Sequence, residues 1–244
     1  MENIPEAENV HDAAAEAAIA TDSFAGLTED LALAQLEDRD LEPEAAERIS
    51  QDATVMKSRK VRMALAGHPR TPRRVALRLI RELHTFELML FTLLPSVAAD
   101  LRQIADQALL TRLPAVTLGE RISLARRGSG MVAGALLLEK DAKVWQAALE
   151  NPRVNEAAVV KGVLGAVSPP YIEAVSRHPK WSLRADVRAA LLRSAHLSLG
   201  KALEFAQRIS PDQLRDILYN SKLPEKIKEC VQESCASRQS SDGC

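Results

Sequence analysis

The 244 residues, 46% hydrophobic and 27% charged, suffice for a substantial core in one elongated domain or two compact ones. An aromatic content of 3% beside plentiful Ala and Leu argues against strands, which draw on β-branched and aromatic residues, and fits helices packed through small aliphatic side chains. The net charge of −1 conceals a split: residues 1–56 carry fifteen acidic and two basic side chains, net −13, and 57–244 carry net +12, which points to a head folding back on the body or a body attracting an anionic partner.

The opening MENIPEAENVHDAAAEAAIA has five acidic residues and no basic n-region, so it does not read as a secretory signal. Its Glu- and Ala-rich composition lacks a core-forming stripe, so residues 1–25 are expected to form an acidic, partly disordered arm that contacts the basic body. The helical body follows over 26–232 and a flexible polar tail over 233–244. Thr28, followed by Glu29 and Asp30, is a helix N-cap with acidic side chains at the positive helix end. A helix through Val61–Ala66 stops near Gly67 or His68, because a residue before proline is pushed out of the helical region. Thr71 then caps the next helix, with Pro72 at its first position. The most apolar stretch, FELMLFTLLPSVAADL at 86–101, is broken by Glu87, Pro95 and Asp100, so no window reaches the roughly 18 residues of a membrane span. A cytoplasmic protein without a membrane partner is the expectation.

Further along, Ser96 is a plausible cap, Thr117 with Glu120 forms a capping box, and GSG at 128–130 reads as an inter-helix turn. VWQAALENPRVNEAAVV at 144–160 repeats the earlier turn, with Asn151-Pro152 as the stop and Asn155 as the cap. Ser168-Pro169 opens another helix. YIEAVSRHPKWSLRADV at 171–187 repeats the turn again with His178-Pro179 and Ser182, and VRAALLRSAHLSLGKALEF at 187–205 is a degraded copy with Ser198 as its cap. Ser210-Pro211-Asp212-Gln213 starts a last helix. No convincing alternating strand occurs, so the fold class is all-α; repeated helical pairs imply stacking, since one pair cannot bury its own apolar stripe.

VRMALAGHPRTP, with its VR-x-x-x-A-x-H/N-P-x-T-P cadence, resembles the leucine-rich repeat variant, a member of the HEAT-like α-solenoids; ALENPRVNEAAV and AVSRHPKWSLRADV fit it more loosely. The chain as a whole is similar to uncharacterised bacterial HEAT-like repeat proteins. The resemblance implies a short right-handed α-solenoid with an extended concave face and is nearly silent about activity. One protein of the variant-repeat type carries an iron–sulfur cluster, but this chain has no clustered N-terminal cysteines to carry that over.

Nine basic residues between Lys57 and Arg81, with no acidic residue among them, form the densest charge feature. On a helix starting at Pro72, Arg74, Arg78 and Arg81 share one face while Val75, Ala76, Leu79, Ile80 and Leu83 share the opposite one. Together with Arg70 and Arg73 they form either a solvated face neutralised by the acidic head or an anion-binding surface, for an acidic protein partner or, through phosphate contacts, for nucleic acid. Trp181, among Arg177, His178, Lys180 and Arg184, either caps the core between pairs or makes a stacking or cation–π corner for a ligand. Similarity to HEAT-like DNA glycosylases would add a repair role needing an aromatic groove and a carboxylate, with Asp186 nearby. The five histidines form no metal motif, the serines no nucleophile elbow, and Cys230, Cys235 and Cys244 no zinc or disulfide pattern. The reading is therefore a non-enzymatic binding scaffold, without cofactor or metal, engaging a protein partner or alternatively nucleic acid through Arg70, Arg73, Arg74, Arg78 and Arg81, with Trp181, Arg184 and Arg188 as further contacts.

Overall fold

A computed structural model describes residues 27–165 and 168–241, with side chains through Cys235. The acidic arm at 1–25 and Cys244 lie outside the described residues. Fifteen α-helices and two 3-10 turns, Val55–Lys57 and Leu113–Ala115, make up the described chain, with no strand among the described residues. No helix among them is long and apolar enough to cross a membrane. Where the sequence suggests one domain over 26–232, the chain forms two compact units: one runs to Leu83 and takes in Pro95–Leu101, the other comprises His84–Leu94 and everything from Arg102 onward.

The first unit holds α1 (Glu29–Glu37), α2 (Pro43–Gln51), α3 (Arg59–Gly67) and α4 (Arg73–Glu82). Thr28 caps α1 as expected, its hydroxyl accepting from Leu31 N at 3.3 Å. The helix α3 packs on both α1 and α4, burying Ala32, Val61, Leu65, Val75, Ala76, Leu79 and Ile80. Thr71 does not cap α4. Pro72, with φ −53° and ψ 131°, is the N-cap instead, and the Thr71 hydroxyl is drawn back to Leu65 O at 2.7 Å, a second donor to a carbonyl that also accepts from His68 N at the end of α3.

The second unit holds α5 (Thr85–Leu93), α6 (Ala99–Arg112) from Arg102, α7 (Leu118–Arg127), α8 (Gly130–Leu136), α9 (Ala142–Leu149), α10 (Glu156–Gly165), α11 (Pro169–Arg177), α12 (Ala185–Leu192), α13 (Leu199–Ala206), α14 (Pro211–Tyr219) and α15 (Glu225–Ser241). Packing skips one helix at a time: α5 meets α7, α7 meets α9 and α9 meets α11, while α8 meets α10, α10 meets α12 and α12 meets α14. The Thr117–Glu120 box forms at the start of α7, with Thr117 N donating to Glu120 at 2.8 Å, and Asn155 caps α10 by accepting from Ala158 N at 2.8 Å. Ser198 occupies the N-cap of α13 without a side-chain hydrogen bond. Two expected starts move: α6 begins at Ala99, beyond Ser96, and α12 begins after Arg184 because the chain keeps turning through Ser182. The polar end expected to be a tail from 233 continues α15 to Ser241.

The recurring turn has a tertiary job. Helices leave their last carbonyls without intrahelical partners, and in five turns a side chain between helices donates to a carbonyl at the end of an earlier helix or braces an earlier helix. His68 Nε2 lies 2.8 Å from Asp38 O at the end of α1. Asn151 Nδ2 donates to Ala125 O at 2.8 Å and Gly128 O at 3.1 Å at the end of α7. Trp181 Nε1 donates to Leu149 O, the last carbonyl of α9, at 3.0 Å, and Ser221 Oγ to Leu192 O, the last of α12, at 2.6 Å. Ser129, the cap of α8, donates to Asp106 of α6 at 2.6 Å. The same polar side chains fold their own turns: His68 Nδ1 accepts from Arg70 N at 3.3 Å, Asn151 Oδ1 from Arg153 N at 2.9 Å and Ser221 Oγ from Leu223 N at 3.0 Å. With Nδ1 accepting, His68 must carry its proton on Nε2 to donate to Asp38.

Candidate functional site

The arginine row is built by α4. Its spacing buries Val75, Ala76, Leu79 and Ile80 in the first unit and leaves Arg73, Arg74, Arg78 and Arg81 exposed, with Arg70 exposed in the preceding turn. These guanidiniums meet groups of the same unit. Arg74 pairs with Glu47 of α2, Arg73 with Asp100, and Arg70 Nη2 with Asp40 at 3.4 Å. Arg78 donates to Ser50 O at 3.4 Å, and Lys60 stands 4.0 Å from Glu29 of α1. The hydrogen bond from Arg73 holds the Asp100 carboxyl below its ordinary range. The neutralising carboxylates thus come from Glu29–Glu47 and Asp100; the proposed contact with the arm at 1–25 lies outside the described residues.

Such exposed pairs are each worth roughly 0 to 1 kcal/mol, because water and salt screen them and two long side chains must be ordered. The row is therefore a band of positive charge held loosely by intrachain carboxylates that another carboxylate can replace.

The second predicted cluster divides. Trp181 is 1% exposed and its N–H is committed to Leu149 O, so it is a core pin between helices and not the stacking surface that its basic neighbours suggest. Lys180 Nζ stands 4.0 Å from its ring centroid, closing the ring off further. Asp186 consequently has no exposed tryptophan beside it for the groove a base-flipping enzyme requires. Arg184 is exposed and Arg188 half-buried, with the Arg188 Nε lacking an acceptor among the described residues. His178 accepts from Lys180 N at 3.2 Å and Trp181 N at 3.4 Å through Nδ1; burial first, then the Lys180 charge, lowers its pKa.

Cys230 and Cys235 lie on α15, and among the described residues no three His, Cys, Asp or Glu side chains gather as a metal site. Sequence reasoning missed Ser221 in SKLP at 221–224, which repeats the polar residue of the turn with the proline displaced by two positions. It also missed the partners of the arginines, which sit 27 to 30 residues away in sequence. A scan against protein-family models, a search of curated proteins and a search of solved structures return no match to the chain.

Proposed function

We propose that the chain is a non-enzymatic binding scaffold, an α-solenoid of HEAT-like helical pairs that recognises an acidic protein partner through the basic face of α4. The solenoid reading is supported by the spacing of the cross-turn bonds: His68 to Asp38, Asn151 to Ala125, Trp181 to Leu149 and Ser221 to Leu192 span 30, 26, 32 and 29 residues. That interval is two helices, so at each of these four places a turn is fastened to the end of the helix two before it, as stacked repeats would require.

The observation that carries the binding role is the row of exposed guanidinium–carboxylate pairs on Arg70, Arg73 and Arg74. An acidic protein surface exchanges with Asp40, Asp100 and Glu47 one carboxylate at a time, with no charge left bare during the exchange. A nucleic-acid backbone would displace the same carboxylates and gain from the release of its own counterions, so a steep salt dependence would distinguish it from an acidic protein. Affinity capture with the full chain and with Arg74→Glu/Arg78→Glu tests the reading: a partner retained by the first and released by the second is expected. A partner equally retained by both removes the α4 face, and a salt-sensitive shift of duplex DNA that the same reversals abolish replaces protein by nucleic acid.

A further inference from the structure

Three turns of the second unit meet along one edge: the end of α7 at Arg127 and Gly128, residues 150–155 after α9, and residues 178–184 after α11. Asn151 Nδ2 reaches Gly128 O at 3.1 Å and Trp181 Nε1 reaches Leu149 O at 3.0 Å. Because α7 packs on α9 and α9 on α11, each turn follows its neighbour at about 8–10 Å, the spacing of packed helices. Every turn brings a cation to this edge: Arg127, then Arg153, then Lys180 and Arg184, all exposed. The carboxylates beside them already face other arginines, Glu150 standing 3.9 Å from Arg126 and Glu173 2.9 Å from Arg177. Arg127, Arg153, Lys180 and Arg184 make no ion pair with any described residue, Glu156 and Asp186 in the following helices included. In this they differ from Arg70, Arg73 and Arg74 of the first unit, which hold carboxylates of their own.

A row that crosses three turns covers about 20 Å at that spacing, so it suits an extended polyanion and not one small anion. Along such a length one strand of a duplex presents about six phosphates, and guanidiniums take phosphate oxygens in pairs. Trp181 is 1% exposed, so these turns offer no ring on which the bases of a single strand could stack. Leu183 is the one large apolar side chain they expose, which leaves an acidic peptide without the pocketed anchor that protein interfaces rely on. We propose that this edge binds the phosphate backbone of a nucleic-acid duplex without regard to sequence. The site lies wholly in the second unit; it goes beyond the α4 reading and does not rest on it.

The experiment titrates the full chain into a fluorescently labelled DNA duplex of about 20 base pairs and follows anisotropy at several salt concentrations. With four phosphate contacts, affinity should fall about a hundredfold between about 50 and 200 mM salt and be the same for two unrelated sequences. Arg127→Gln/Arg153→Gln/Arg184→Gln leaves one contact and should reduce that fall to about fourfold. The matching Arg127→Lys/Arg153→Lys/Arg184→Lys variant keeps the charges and should retain the steep fall. Arg74→Glu/Arg78→Glu should leave the salt dependence unchanged, which separates this edge from α4. No binding at the lowest salt, a glutamine triple as salt-sensitive as wild type, or binding abolished by the α4 reversals alone overturns the proposal. So does a preference of about tenfold or more for one sequence, which requires contacts to base edges. A deca-glutamate peptide that binds more tightly than the duplex and loses affinity in the glutamine triple also overturns it, by assigning the edge to an acidic protein.

Discussion

Asn151 makes three hydrogen bonds while 1% exposed. Truncation strands two buried carbonyls and a backbone N–H, each costing about 1 kcal/mol or more, so Asn151→Ala should lower unfolding stability by about 3 kcal/mol in denaturant titration. The Tyr171 hydroxyl presents the opposite case. It is buried without a hydrogen-bond partner among the described residues, so Tyr171→Phe should raise stability by about 1 kcal/mol. His178 makes stability depend on pH. Its lowered pKa means that the unfolded chain takes up a proton near its ordinary value of 6.5 while the folded chain does not, so its contribution is complete above about pH 7 and falls away as pH drops through 6.5 toward the lowered value. His178→Asn, which keeps an acceptor as Asn151 does in its own turn, should flatten that part of the melting-temperature profile relative to wild type. These roles were half legible: a polar residue before proline can be read as a turn former, but its second bond, to a carbonyl 26 to 30 residues earlier, has no local signature. The choice between the two readings of Trp181, core cap or ligand corner, was undecidable locally for the same reason, since its burial is decided by Leu149, 32 residues back.

At the scale of elements, capping chemistry located the starts of α1, α7 and α10, because Thr28, Thr117 and Asn155 bond only within their own first turn. It missed α4, where the Thr71 hydroxyl had a better acceptor in Leu65 O. Close approach of elements carries its own prediction. A Cβ at Gly130 would lie 2.4 Å from the backbone oxygen of Arg153, so the start of α8 and the turn before α10 touch through a residue without a side chain. Gly130→Ala should cost about 2 kcal/mol by forcing the two apart. The helix itself would tolerate alanine better than glycine, which makes the sign of the change diagnostic.

For the whole molecule, the charge split of the sequence was readable and its consequence only in outline: carboxylates of Glu29–Glu47 and Asp100 face the arginines, but which acid meets which arginine depends on packing. Because these pairs are exposed, Arg74→Ala should change stability by less than about 1 kcal/mol while still weakening capture of an acidic partner. A large stability loss would make the row structural cement. The proposed stacking of pairs rests on the fastenings between turns, and hydrogen exchange of the full chain against Asn151→Ala examines it most directly. If each pair is tied to its predecessor, protection falls both around 151–155 and at the distant Ala125–Gly128 turn and spreads into α7–α10; loss confined to 151–155, with the ends of α7 and α8 unchanged, would contradict it.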